Sequence, residues 1–326
     1  MRITLTKPHG FSLSAASSFY ESFVPGSGMA AANVAGALTL AFRLDRSFDA
    51  VAVSLEERES TIVLEVAGTN DVAAVQNQVT RILGLDVDGE SWRAVGVRDP
   101  VVGRVQAEFP GFFTAAKSSP YDAAAWAMIV TRLPMQAAAK IKLQIAREHG
   151  DAVTIGGRVH HIFPSPSALL RVEKVAGLAD EKVARLHEIA RAALDGHLDA
   201  ERLRAMGPAA ALATLQRLRG VGPWTASHIF YRGAAPVDEL PTIEPRVLAG
   251  WGHAAGVVRP TEQAFVAASE AWRPFRMWVA ILFARHLARS GGWNNPGLAK
   301  ARAKAIRGAC GCRGYWPEGN GKSGAG

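Results

Sequence analysis

Apolar and polar side chains alternate over residues 37–44, 50–55 and 61–66, and again over residues 1–8, with charged or turn-forming residues between the runs. A period of two sends successive side chains to opposite faces of a strand, so the pattern predicts an antiparallel sheet. Two stretches with helical spacing, 14–23 and 72–83, flank these runs and would cover one face of it. From Asp99 onward the apolar spacing changes to three and four. Residues 121–149, 166–175, 181–194, 208–217, 224–231, 260–270 and 274–290 then read as helices, several with recognisable starts such as Ser165-Pro166 and Asp180-Glu181. Residues 308–326 are rich in Gly and are expected to be flexible. The expected fold class is α+β, divided as an antiparallel sheet unit with helices (1–100), a helical unit (101–236), a second helical part (237–307) and a tail (308–326).

Composition narrows the function classes. With 326 residues, 48% hydrophobic and 20% charged, the chain is neither a disordered tail nor a fibrous repeat nor a polytopic membrane protein. The longest weakly polar stretch, 29–42, contains Asn33 and Gly36 and falls short of the roughly 20 apolar residues of a membrane helix. Residues 1–8 lack the apolar core of a secretory signal, so the expected location is cytoplasmic and no membrane partner is expected. Cys310 and Cys312 are the only cysteines, too few for a four-thiolate zinc site or an iron-sulfur cluster. The net charge is +8, and nine of the 37 basic residues lie within 271–317 without a single acidic one. Such a block is either a solvated tail or an attractor of polyphosphate, which makes nucleic acid the first partner to consider.

One motif carries chemistry. Leu218-Arg219-Gly220-Val221-Gly222-Pro223-Trp224-Thr225 joins the end of one helix to the start of the next through a Gly-x-Gly turn. Glycines permit positive φ and close backbone approach, and the first N–H groups of the following helix point outward with the positive end of its dipole. By itself the turn is either a helix-helix loop or a cradle for a phosphate diester.

In company with other segments it says more. Leu-x-Gly-Val-Gly-Pro-Trp-Thr-Ala resembles the hairpin of the helix-hairpin-helix DNA glycosylase superfamily. Residues 123–150 and 178–196 are similar to helices of the bacterial 3-methyladenine DNA glycosylase II type, and Trp272-Arg273-Pro274-Phe275-Arg276 to its Trp-basic-Pro-aromatic-Arg element. The resemblance covers about residues 1–298 and implies a two-part helical glycosylase core behind the N-terminal sheet unit.

What the resemblance implies for the site follows residue by residue. The hairpin (Gly220, Val221, Gly222, Thr225) would grip the backbone of double-stranded DNA, while Arg273 and Arg276 would contact phosphate or pair within the protein. The damaged nucleotide would be rotated out of the stack, with Arg132 as a wedge in the gap. Trp224, His228, Thr131, Ala284 and Arg285 would form the base pocket, although Trp224 and His228 also read as ordinary packing residues. The family places an Asp about two dozen residues beyond the first hairpin glycine, to stabilise the oxocarbenium-like sugar. That position is Glu244, whose extra methylene moves the carboxylate by roughly 1.5 Å; Asp238 falls six residues short of it.

Bifunctional members carry a nucleophilic lysine where this chain has Trp224. Hydrolysis without strand cleavage is therefore implied, releasing an alkylated base and leaving an abasic site. No cofactor is expected beyond a monovalent cation (Na or K) on the backbone carbonyls of Gln216, Leu218 and Val221 when DNA is bound. A single chain acting as a monomer is expected. The competing function is a catalytically weak or silent DNA-damage-binding protein that keeps the hairpin and the wedge but has lost the Asp.

Overall fold

The computed structural model describes residues 1–22, 30–32, 38–113 and 116–291. Cys310, Cys312, the predicted tail, and Lys300, Arg302, Lys304, Arg307 and Arg313 of the basic block lie outside the described residues. The structure mixes helix with a small antiparallel sheet.

The sheet is built from β1 (Arg2–Thr6), β2 (Ala30–Ala32), β3 (Leu38–Arg43), β4 (Ala50–Glu57) and β5 (Thr61–Ala67), in the order β1-β5-β4-β3-β2 with every pairing antiparallel. Leu40 lies opposite Val53 and Val53 opposite Val66, so the alternating apolar positions line up across the sheet. Helices α1 (Leu13–Ser22) and α2 (Val72–Leu83) lie where the spacing predicted them. The second face of the sheet is also covered. A hairpin of β6 (Asp151–Ile155) and β7 (Arg158–Ile162) buries Ile155 and Ile162 against Ala41 and Ala52. That is why every side chain of β3 is buried.

Two further helices, α3 (Gly89–Arg98) and α4 (Pro100–Glu108), were not evident in the apolar spacing. Asp88 and Asp99 cap them, each accepting from backbone N–H groups of the first turn. Asp99 also accepts from the fully buried Trp272 indole at 2.7 Å, which ties α4 to the C-terminal part of the chain.

The stretch 121–149, predicted as one helix, is two: α5 (Pro120–Val130) and α6 (Met135–His149). Pro134 cannot continue the helix and disfavours a helical Leu133 before it. Helix α5 is buried all round save for Asp122 in its first turn, whose side chain is 13% exposed. The Asp122 carboxylate lies between two buried ammonium groups, Lys142 and Lys117, the latter at 3.3 Å and over the Trp126 ring.

Helices α7 (Pro166–Leu169), α8 (Asp180–Leu194), α9 (Ala200–Gln216), α10 (Pro223–His228), α11 (Pro245–Ala255), α12 (Glu262–Ser269) and α13 (Arg276–Arg289) complete the body. Helix α9 breaks at Gly207-Pro208, and α10 runs on into a π-helical turn over residues 229–234. Helix α11 reaches α13 closely because Gly250 has no side chain: a Cβ there would come within 2.2 Å of the Phe283 carbonyl oxygen. One continuous apolar core runs from the sheet through these helices. Among the described residues no helix is long and apolar enough to cross a membrane.

Candidate active site

The glycine turn closes between α9 and α10 through Leu218 N–H to the Leu215 carbonyl at 3.1 Å and Val221 N–H to the Leu218 carbonyl at 3.0 Å. The two glycines do different jobs. Gly220 has φ +85°, and a Cβ on it would meet the Arg185 side chain at 3.0 Å. Gly222 is extended (φ −85°, ψ 179°), so of the two glycines only the first uses the left-handed region. At Gly222 a Cβ would have nothing within 4 Å, so the outer face of the turn is open to a backbone approaching from solvent. The carbonyls of Gln216, Leu218 and Val221 offer neutral oxygen donors, the kind that suit a hard monovalent cation, although the Leu218 oxygen already accepts one N–H. Among the described residues no group of three or more His, Cys, Asp or Glu could hold a metal ion.

Behind the turn lies a cavity of about 400 Å³, within the range of sites that enclose small molecules. Trp224, His228 and Tyr231 recur at helical spacing and line one wall. The start of α11 contributes Glu244 and Arg246, α13 contributes Ile281, Ala284 and Arg285, and the α5–α6 junction contributes Trp126, Leu133 and Met135. Phe19 reaches in from α1.

Glu244 holds its place because it is the N-cap of α11, with Pro245 at the first helical position. Its side chain is only 20% exposed and accepts a fork from Arg246, Nε to Oε1 at 2.8 Å and Nη2 to Oε2 at 3.2 Å. The Trp224 indole, which lines the same cavity, also favours its charged form. Burial pushes the Glu244 carboxyl up, but the Arg246 charge, its hydrogen bonds and the indole outweigh burial and hold it below the usual carboxylate range. The group is a fixed negative charge at neutral pH, set against an indole.

The imidazole of His228 stacks on that indole, centroids 5.3 Å apart and planes 18° from parallel. Burial first, then the charges of Lys117, Arg232 and Arg246, keep His228 well below the usual histidine range, so it is neutral. Its Nε2 is buried without a hydrogen-bond partner. The Arg285 guanidinium lies over Phe112 at 4.3 Å and Phe109 at 4.4 Å, and its Nη1 is likewise buried and unpartnered. Burial, helped by Arg289, lowers its pKa to about 10, so it stays charged at neutral pH.

The structure thus brings Glu244, Trp224, His228, Ala284 and Arg285 into one cavity beside Gly220, Val221, Gly222 and Thr225. Thr131 is a correction, since it does not line the cavity and its hydroxyl donates to the Ala127 carbonyl at 2.8 Å. Arg132 is exposed at the break between α5 and α6, with φ +56°. The Lys182 ammonium fixes that break by donating to the carbonyls of Ile129 and Thr131. Arg273 and Arg276 have internal partners: Arg276 is only 14% exposed and holds Asp238 at 2.9 Å, while Arg273 holds Asp238 and Glu270, both at 2.8 Å. Asp238 is accordingly part of this clamp.

Arg246 was missed in the sequence, although its place two residues after a capping Glu and a Pro was a signal that its side chain could fold back onto that carboxylate. The three aromatic rings around Arg285 left no such signal, because Phe19, Phe109 and Phe112 come from distant segments.

No family model matches the chain. It is 24% identical over 214 residues to a DNA-3-methyladenine glycosylase of Bacillus subtilis (strain 168), covering 62% of this chain and 69% of the relative. It is similar to the 3-methyladenine DNA glycosylase structure from Archaeoglobus fulgidus, with a TM-score of 0.70 and 23% identity over 87% of this chain and 97% of that one. It is also similar to a DNA-bound 8-oxoguanine glycosylase/lyase from Clostridium acetobutylicum, with a TM-score of 0.64 and 14% identity over 89% and 98% of the two chains. At such identities the structural likeness speaks for the fold.

Proposed function

We propose that this chain, whose fold is that of the helix-hairpin-helix DNA glycosylases, is a monofunctional DNA N-glycosylase. In this reading it excises alkylated bases, purines methylated at the three-position (the 3-methyladenine type, 3-methylguanine included) foremost, and leaves an abasic site. The observation that carries the reading is the ionised Glu244 carboxylate, which shares a base-sized cavity with the indole of Trp224, two residues beyond the Gly220–Gly222 turn.

The chemistry follows from that placement. The sugar C1′ is inaccessible in a stacked duplex, so the nucleotide must be rotated into the cavity. The C1′–N bond then breaks, its electron pair leaves with the base, and positive charge develops on the sugar. A fixed carboxylate beside C1′ stabilises that charge in a cavity where little water screens it. The base, cationic through its alkylation, leaves neutral, while water adds to C1′ and passes its proton to solvent water. The depressed pKa of Glu244 suits electrostatic stabilisation better than proton abstraction, because a carboxylate held by Arg246 is a weak base. No amine stands at Trp224 to attack C1′, so no Schiff base forms there and the strand remains whole.

The hairpin supplies the main phosphate contact, with a monovalent cation on its carbonyls in the bound state, and Arg132 fills the gap. In this reading the chain acts as a monomer. The test is direct. Alkylated duplex incubated with the protein should release free base, and strands should break only after alkali. Breakage without alkali would overturn the monofunctional reading.

Arg246 offers a separate check through pH. The rate needs Glu244 ionised, and in the wild type the acid limb of the pH–rate profile should lie below the ordinary carboxylate range. In Arg246→Leu burial is unopposed, the Glu244 pKa rises, and the acid limb should move up, with the largest losses at low pH. An unmoved limb would show that another group sets it.

A further inference from the structure

Among the described residues only three buried side-chain nitrogens lack a hydrogen-bond partner, and two of them, His228 Nε2 and Arg285 Nη1, belong to walls of the same cavity. Buried polar groups are nearly always satisfied, and an exception at a cavity marks where a ligand supplies the missing partner. The two groups differ in what they ask for. A neutral imidazole presents a donor or an acceptor at Nε2 depending on its tautomer, so it discriminates little. A guanidinium is only a donor.

No carboxylate among the described residues takes up the Arg285 charge. It is held by Phe112 at 4.3 Å, Phe109 at 4.4 Å and Phe19 at 5.4 Å. Aromatic faces favour the cation without occupying its N–H groups. The side chain is therefore fixed in orientation while one donor stays unspent. Arg285 sits in the third turn from the start of α13 at Arg276, whereas Glu244 lies at the start of α11. A base still bonded to a C1′ beside Glu244 points its far edge across the cavity toward the α13 wall.

Resting on the glycosylase reading of this cavity, we infer that Arg285 is a specificity-determining residue selecting damaged bases that carry a carbonyl oxygen on the edge remote from the glycosidic bond. A guanine-type base offers O6 to the guanidinium of Arg285, which lines the cavity. An adenine-type base presents an exocyclic amine there, setting donor against donor and leaving both unpaired. Leaving such groups unsatisfied in a buried site should lower the rate by roughly 10- to 100-fold.

The test uses the full chain and one substrate preparation. Duplex DNA treated with dimethyl sulfate contains both 3-methylguanine and 3-methyladenine, which share the methyl position and differ at the six-position oxygen or amine and at the two-position amine of guanine, so the change of their ratio in the variants carries the test. Single-turnover rate constants for the two bases, each normalised to its content in the DNA, give an internal ratio. The wild type should favour 3-methylguanine by about tenfold or more, and Arg285→Met should bring the ratio toward unity. Arg285→Lys, which keeps a cation over the phenyl rings, should retain part of the preference if the Met variant folds poorly. A wild-type ratio at or below unity, or a ratio unchanged in both variants, would overturn the inference and leave the glycosylase reading standing. Release of neither base by the wild type would instead sink the glycosylase reading, and this one with it.

Discussion

Glu244→Gln should lower single-turnover base release from alkylated duplex by about 10²- to 10³-fold, the usual loss when a preorganised electrostatic group is removed from a reacting centre. The substitution keeps the shape of the side chain and an amide oxygen able to accept the Arg246 N–H, now at 3.3 Å, so the start of α11 should persist. What it removes is the negative charge. Arg246 then stands without its counter-ion beside a sugar that becomes cationic, which compounds the loss. Binding to a duplex with an abasic-site analogue should be as tight as in the wild type or tighter, since a negative charge has left the neighbourhood of the phosphates. The readout is the rate of alkali-labile site formation set against affinity for the analogue. Full activity in the variant would remove Glu244 from the mechanism. Equal inactivity of both proteins with retained binding would favour a silent damage-binding protein.

The second large effect concerns stability. Asp122→Asn should cost about 3–5 kcal/mol in urea unfolding, because breaking a buried ion pair leaves uncompensated charge behind. The Lys117 side chain is 1% exposed, Lys142 9% and Asp122 13%, so little water is at hand to replace the carboxylate. The pH dependence follows from the two partners. Burial opposes the Asp122 charge, but Lys142 and Lys117 together hold its pKa below the ordinary value. Its contribution is therefore complete above the ordinary carboxylate range and lost as the pH falls below it. Burial holds the Lys117 pKa well below the ordinary lysine range despite Asp122. The folded state gives up that proton while the unfolded chain still keeps it, so stability rises with pH above neutrality. Without Asp122 the folded protein can escape its excess charge only by losing a lysine proton. The deficit in Asp122→Asn should therefore shrink as the pH rises from about 5 to about 7, the Lys117 pKa that Asp122 helps to hold up, and stay level above it. A deficit independent of pH over that range would argue against charge as its cause.

Much of this was legible in the chain, and the gaps have physical reasons. The alternation in β3, β4 and β5 announced itself because one face of each strand meets a helix. The β6–β7 hairpin went unread, although Gly156-Gly157 between alternating runs is a hairpin signal. Helix α11 was overlooked because Gly250 and Gly252 dilute its helical character, yet Gly250 is what allows close contact with α13. At the site, Glu244 and Trp224 are candidates only through the family resemblance, which counts their positions from the hairpin glycines. The roles of Arg273 and Arg276 could not be placed, because whether an arginine faces phosphate or Asp238 is decided by segments 35 to 38 residues away. Arg285 was marked as a pocket residue, but its three aromatic neighbours are set by the tertiary fold alone.

Phe19 belongs to α1, in the segment that carries the sheet, and it both lines the cavity and lies over Arg285. The sheet segment and the helical body are thus not interchangeable parts. A chimera that borrowed its first hundred or so residues from another such chain would also import a new neighbour for the selecting guanidinium, and its preference among lesions would travel with the graft.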